Sequence, residues 1–212
     1  MVKRFLALTC VFSILLCGCS NSGTNDTSAS DDSIATTHDN AATEDTNKNS
    51  DTSIAFGYTL DEAVAALQQS IAGTSAEGLL TDEYTKMDQE ATEIMPANVT
   101  YGYAGPGKGY IMYFCIPETD EVYQICYSVP LDSLDTTELA KQHGALLGAL
   151  INAYEPSEAI RQKLDSDLDV LNLADGTNNV SSGTASSWSY SVYSGQIMFN
   201  IMSTDYMEYV NS

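Results

Sequence analysis

Gly109 to Val129 reads GYIMYFCIPETDEVYQICYSV. Apolar residues alternate on both sides of the polar stretch Glu118 to Glu121. Alternation at a period of two marks a strand with one buried face, and two such runs around a polar turn mark an antiparallel hairpin. With the turn centred on Asp120 and Glu121, Met112, Phe114 and Ile116 share a face with Ile125, Tyr127 and Val129. In that register Cys115 and Cys126 sit directly across from each other on the other face. Two outcomes are open: a cross-strand disulfide, or two buried thiols acting as small hydrophobes. The facing geometry favours the bridge.

The same alternation recurs downstream. In SSWSYSVYSGQIMFNIMS, a two-residue turn at Ser194-Gly195 places Trp188, Tyr190 and Val192 on one face with Ile197, Phe199 and Ile201. Upstream, GYAGPGKG (Gly102 to Gly109) has the spacing of a phosphate-cradling loop, G-x-x-x-x-G-K. Such a loop needs a helix directly after its lysine, and Ser or Thr in the next position to hold magnesium. Here Gly109 fills that position and the strand-like YIMYFCI follows. NVTYGY before the loop alternates too, so the glycines are expected to form a turn between two strands.

Helical spacing appears elsewhere. Thr59 to Glu62 fits a capping box, and Leu60, Val64, Leu67 and Ile71 form one stripe that Gly73 can end. A longer helix, with Asp135 as its expected cap, carries Leu139, His143, Leu146, Leu147, Leu150, Ile151 and Tyr154. Pro156 interrupts it, and Ile160, Leu164, Leu168 and Leu171 continue in register. Residues 74–95 read as helical through Tyr84, Met87, Ala91 and Ile94. The expected fold class is α+β: an antiparallel sheet of about five strands with helices packed on one face.

The chain opens MVKRFLALTCVFSILLCGCS. A basic start, a short apolar run and small residues have the layout of an export signal, and the run is too short to span a bilayer. Leu16-Cys17-Gly18-Cys19 resembles the lipobox of bacterial lipoproteins. The resemblance covers residues 1–19. It implies removal of residues 1–18 and a diacylglyceryl group on Cys19, which becomes the mature N-terminus. The expected location is therefore the outer face of the bacterial cytoplasmic membrane, or the outer membrane in a Gram-negative cell. The membrane is then a partner through the lipid on Cys19, held by two acyl chains.

Residues 19–55 are a Ser/Thr/Asn/Asp-rich acidic linker with too few apolar side chains to fold. Residues 56–212 are long enough for one domain and carry 22 carboxylates against five basic side chains. A charge of that sign repels nucleic acid, so none is expected as a partner.

No chemistry stands out in the domain. His143, its only histidine, lies on an apolar helical stripe, which favours a packing role. Asp165, Asp167 and Asp169 begin like a calcium loop, but Val170 and Gly176 stand where Gly and Glu are required. No cofactor, metal ligand set or catalytic residue is assigned. The tyrosines are the remaining feature, with Tyr101, Tyr103 and Tyr110 as a candidate binding surface. The functional expectation is a non-catalytic binding or interaction module at the cell surface, for an unknown protein or small-molecule ligand. The alternative is an extracytoplasmic carboxylate-based hydrolase.

Overall fold

The computed structural model describes residues 54–92 and 95–212. Cys19, the lipobox, His38 and nearly all of the linker lie outside them. The described residues belong to the compact unit Lys48–Ser212.

Seven strands form one sheet in the order β1-β2-β3-β4-β7-β6-β5, every neighbour antiparallel. They are β1 Thr85–Gln89, β2 Asn98–Ala104, β3 Tyr110–Cys115, β4 Val122–Pro130, β5 Asn178–Ser182, β6 Ser186–Tyr193 and β7 Gln196–Ser203. Four α-helices accompany them among the described residues: α1 Leu60–Ile71, α2 Thr137–Tyr154, α3 Glu158–Leu168 and α4 Thr204–Asn211. The class is α+β, with two strands more than expected. The additions are the edges, β1 and β5.

The buried side chains of α1, α2 and α3 pack into one cluster with a single face of the sheet, built from Tyr101, Tyr103, Ile111, Tyr113, Ile125, Tyr127, Val129, Trp188, Tyr190, Val192, Ile197, Phe199 and Ile201. Full burial of one such side chain contributes about 1.5–3 kcal/mol. On the other face lie Met112, Phe114, Gln124, Cys126, Met198 and Asn200. Tyr206 of α4 packs on Tyr123, which packs on Phe114.

Several local expectations hold. Thr59 and Glu62 form the reciprocal capping box. The glycine loop is a turn from β2 to β3, closed by Gly105 N–H to Gly109 O at 2.8 Å. Gly107 has φ +62°, and a Cβ there would meet the Ser133 carbonyl oxygen at 2.6 Å. Ser194 and Gly195 both take positive φ, and the second hairpin keeps its expected register.

Three differ. The cap of α2 is Thr136, whose Oγ1 accepts from Leu139 N–H, in place of Asp135. Thr85–Gln89 is a strand, although the spacing around it reads as helical. It lies at the sheet edge with its first four residues exposed, so no buried face imposes a period of two. The first hairpin turns earlier than expected, with Ile116 N–H bonded to Glu121 O, and carries a bulge. Cys115 pairs with Val122 but Phe114 pairs with Gln124, leaving Tyr123 as the extra residue. An odd residue exchanges the faces of everything beyond it. Ile125, Tyr127 and Val129 therefore face the helices together with Ile111 and Tyr113, and Met112 and Phe114 face away.

Candidate functional site

An aromatic corner forms where β2 meets β1. Tyr101 and Tyr103 project from β2 into the helix layer and are buried. Tyr84, immediately before β1, closes over both, with ring centroids 5.5 Å from Tyr101 and 5.7 Å from Tyr103. It keeps 53% of its surface exposed. The Lys86 ammonium lies 5.5 Å from the centre of the Tyr101 ring, within cation–π range. The Tyr101 hydroxyl donates to Asp120 Oδ1 at 3.3 Å. Burial raises the Tyr101 pKa, so the hydroxyl stays a donor.

The corner rests on a fixed base. Tyr103 meets Tyr113 edge-on at 5.7 Å. The Tyr113 and Tyr154 hydroxyls are 3.0 Å apart, and Tyr154 donates to the Ala63 carbonyl at 2.8 Å. Sheet, α2 and α1 are thereby joined beneath the exposed Tyr84 ring. An aromatic side chain held this way offers contact area at little entropic cost, since few torsions remain to be frozen on binding.

Tyr110 does not join this group. It begins β3 opposite Ser128, on the face away from the helices, and is 51% exposed. The three tyrosines grouped from the sequence thus divide between two faces, because Tyr110 lies seven residues beyond Tyr103 across a tight turn. Tyr84 carries no sequence signal as a member of this group, since the spacing of residues 74–95 reads as helical.

The two cysteines do not form the expected bridge. Both are buried free thiols. Cys126 faces Met112 and Cys115 faces Val122, so the bulge at Tyr123 sends the two to opposite faces of the sheet. Burial pushes both thiols up to about 12, and at neutral pH they are inert as nucleophiles.

His143 is buried over the sheet with Nδ1 2.9 Å from the Tyr127 hydroxyl. Burial lowers its pKa to about 4. The ring is neutral at physiological pH and packs within the core.

Two carboxylates, Glu155 and Asp167, serve structure. Glu155 is buried between α2 and α3, where it accepts from Thr184 N–H (2.8 Å), Thr184 Oγ1 (2.5 Å) and Ser157 N–H (3.0 Å). Burial raises its pKa, but those hydrogen bonds and the Arg161 charge outweigh it and leave the group below the usual carboxylate range. Nothing in the local sequence marks it, since a Glu before Pro156 reads as a surface residue. Asp167 accepts from Ser181 Oγ at 2.7 Å and pairs with Lys163 at 3.0 Å, which lowers its pKa. Asp169 ends α3 in the left-handed conformation. Among the described residues no group of three or more His, Cys, Asp or Glu side chains could hold a metal ion. A groove of about 400 Å³ lies between α2 and α3, lined by Gly148, Ile151, Asn152, Glu158, Arg161 and Asp165 among others. Arg161 is engaged there by the Glu155 and Pro156 carbonyls at 2.8 and 3.2 Å.

Compared with protein-family models, curated proteins and solved structures, the chain matches none.

Proposed function

We propose that the chain is a lipid-anchored extracytoplasmic protein whose mature domain is a non-catalytic binding module, with the Tyr84–Tyr101–Tyr103 corner as its contact surface. The anchor is Cys19, and the acidic linker holds the domain away from the membrane. The observation that carries the reading is Tyr84, an exposed ring fixed on two buried ones. Its ligand is a protein or small molecule outside the membrane. The charge of the domain disfavours polyanions.

The carboxylates weigh in the same direction. A general acid needs a raised pKa, and Glu62, Glu155 and Asp167 are all shifted down. A hydrolase reading would place its pair in the groove, at Glu158 and Asp165. These stand seven residues apart on α3, about 10.5 Å along the axis between their backbones.

The test has two parts. Cell fractionation of Cys19→Ala is expected to show loss of membrane retention. A photoreactive residue in place of Tyr84 is expected to give one discrete adduct on intact cells, and the same residue in place of the exposed Lys141 is expected to give none. Membrane retention unchanged by Cys19→Ala would remove the anchor. Hydrolysis of a chromogenic glycoside that Glu158→Gln abolishes would move the function to the groove.

A further inference from the structure

We infer that the edge strand β1 is a self-pairing surface, taking a second copy of this chain as its partner. The observation is the order of its side chains. Among the described residues β1 has a neighbour, β2, on one side only, and Thr85, Lys86, Met87 and Asp88 are exposed. The outer side therefore presents an edge of backbone groups that can take another strand.

Two copies related by a two-fold axis normal to the sheet must pair residues of the same face, so the axis passes through a residue position. Centred on Met87, the pairing is complete over the strand. Thr85 meets Gln89, Lys86 of each copy meets Asp88 of the other, and Met87 meets Met87. Both Lys–Asp pairs fall on the helix-bearing face, because Lys86 and Asp88 lie in register with Tyr101 and Val99. Met87, 57% exposed, meets its counterpart on the other face. Just outside the strand, Tyr84 meets Glu90, and no carboxylate of positions 82–92 is set against another in this register.

Charges on an edge strand ordinarily repel a foreign strand. Lys86 and Asp88 do so unless the arriving strand offers the opposite charges in reverse order. An antiparallel copy of β1 supplies that order by symmetry. The strand spans about 17 Å and buries less than the ~1,000 Å² of a stable interface. Association is therefore weak and reversible, and the acidic surfaces of the two copies keep it so. It depends on the charge order of β1 and is independent of the proposed ligand at Tyr84.

Sedimentation equilibrium of the full chain in mild detergent, at physiological ionic strength, tests the pairing. Lys86→Asp and Asp88→Lys each set like charges opposite one another twice per dimer and are expected to weaken dimerisation at least about tenfold. The double variant restores opposite charges and is expected to return to within about threefold of wild type. The double variant still lacks the Lys86–Tyr101 contact, so recovery reports on pairing alone. Met87→Cys is expected to give an oxidised dimer, and Val180→Cys on the exposed far edge a monomer. Tyr84→Ala removes only the flanking contact with Glu90 and is expected to change dimerisation by less than about threefold, while ligand contact at the corner is lost. A wild-type chain that stays monomeric up to millimolar concentration would overturn the inference. So would charge variants that behave alike, or an adduct at Met87→Cys containing a different protein.

Discussion

The Tyr127 hydroxyl lies 2.9 Å from Nδ1 of His143, and Nε2 of the same buried ring has no partner among the described residues. In the protonated ring both nitrogens carry hydrogen, and the one on Nε2 meets no acceptor among the described residues. The unfolded chain takes up this proton near pH 6.5, and burial delays uptake in the fold to about 4. Stability from the neutral ring is thus complete above 6.5 and is lost as pH falls from 6.5 towards 4. A shift of that size corresponds to about 3 kcal/mol. Urea midpoints measured from pH 7 to pH 4.5 are expected to fall in the wild type and to stay flatter in His143→Gln. Parallel profiles would contradict the buried neutral ring.

Cys115 and Cys126 are expected as thiols in the protein. Unfolding without reductant followed by alkylation should add two labels to these positions, read by peptide mass spectrometry. In the folded protein Cys115, with no exposed surface, is expected to label orders of magnitude more slowly than in denaturant. A 115–126 linked peptide would show that the bulge register is wrong.

Glu155 closes the junction between α2, α3 and the loop before β6. Glu155→Ala strands the Thr184 N–H and is expected to cost about 2–3 kcal/mol. The lowered pKa means that this stability is present above the normal carboxylate value of 4.5 and is lost as pH falls through the lower folded value. Gly183→Ala tests the same junction from the other side. Its Cβ would collide with Ser186 Oγ, Trp188 Nε1 and Glu155 Oε2. Crowding of that kind costs about 1–3 kcal/mol, and thermal unfolding of both variants measures it. An unchanged midpoint for either one would count against the assigned packing.

Ser194 holds φ +53° beside Gly195 at +75° in the β6–β7 turn. Such turns favour Asn-Gly, so Ser194→Asn is expected to raise stability. Ser194→Val, β-branched at a left-handed position, should lower it. Denaturant midpoints rank the three chains, and any other order would indicate a different turn.

The two hairpins differ in how much of them can be read from the chain. The β6–β7 hairpin has a turn that names itself, Ser194-Gly195, and strands without irregularity, so its alternation places every core side chain. The β3–β4 hairpin has equally regular alternation, yet its two strands are offset by a bulge at Tyr123. Apolar residues occupy both faces there, with Tyr123 under α4 and Phe114 beside it, and Tyr113 and Tyr127 under α2. Either face could have been the core from the pattern alone. The pairing of Cys115 and Cys126 rests on that ambiguity.

Local chemistry was legible wherever a few adjacent residues settle the energy. The Thr59–Glu62 box, the β2–β3 glycine turn and the break before Ser157 each satisfy backbone groups within four or five residues, and the α+β class follows from alternation beside helical stripes. The tertiary structure alone decided which face of each strand meets the helices, which strands close the sheet as exposed edges, and which tyrosines remain at the surface. Those outcomes depend on pairing between distant segments, where one extra residue in a strand exchanges its two faces at small local cost and an edge strand has no buried partner to impose a pattern on its sequence.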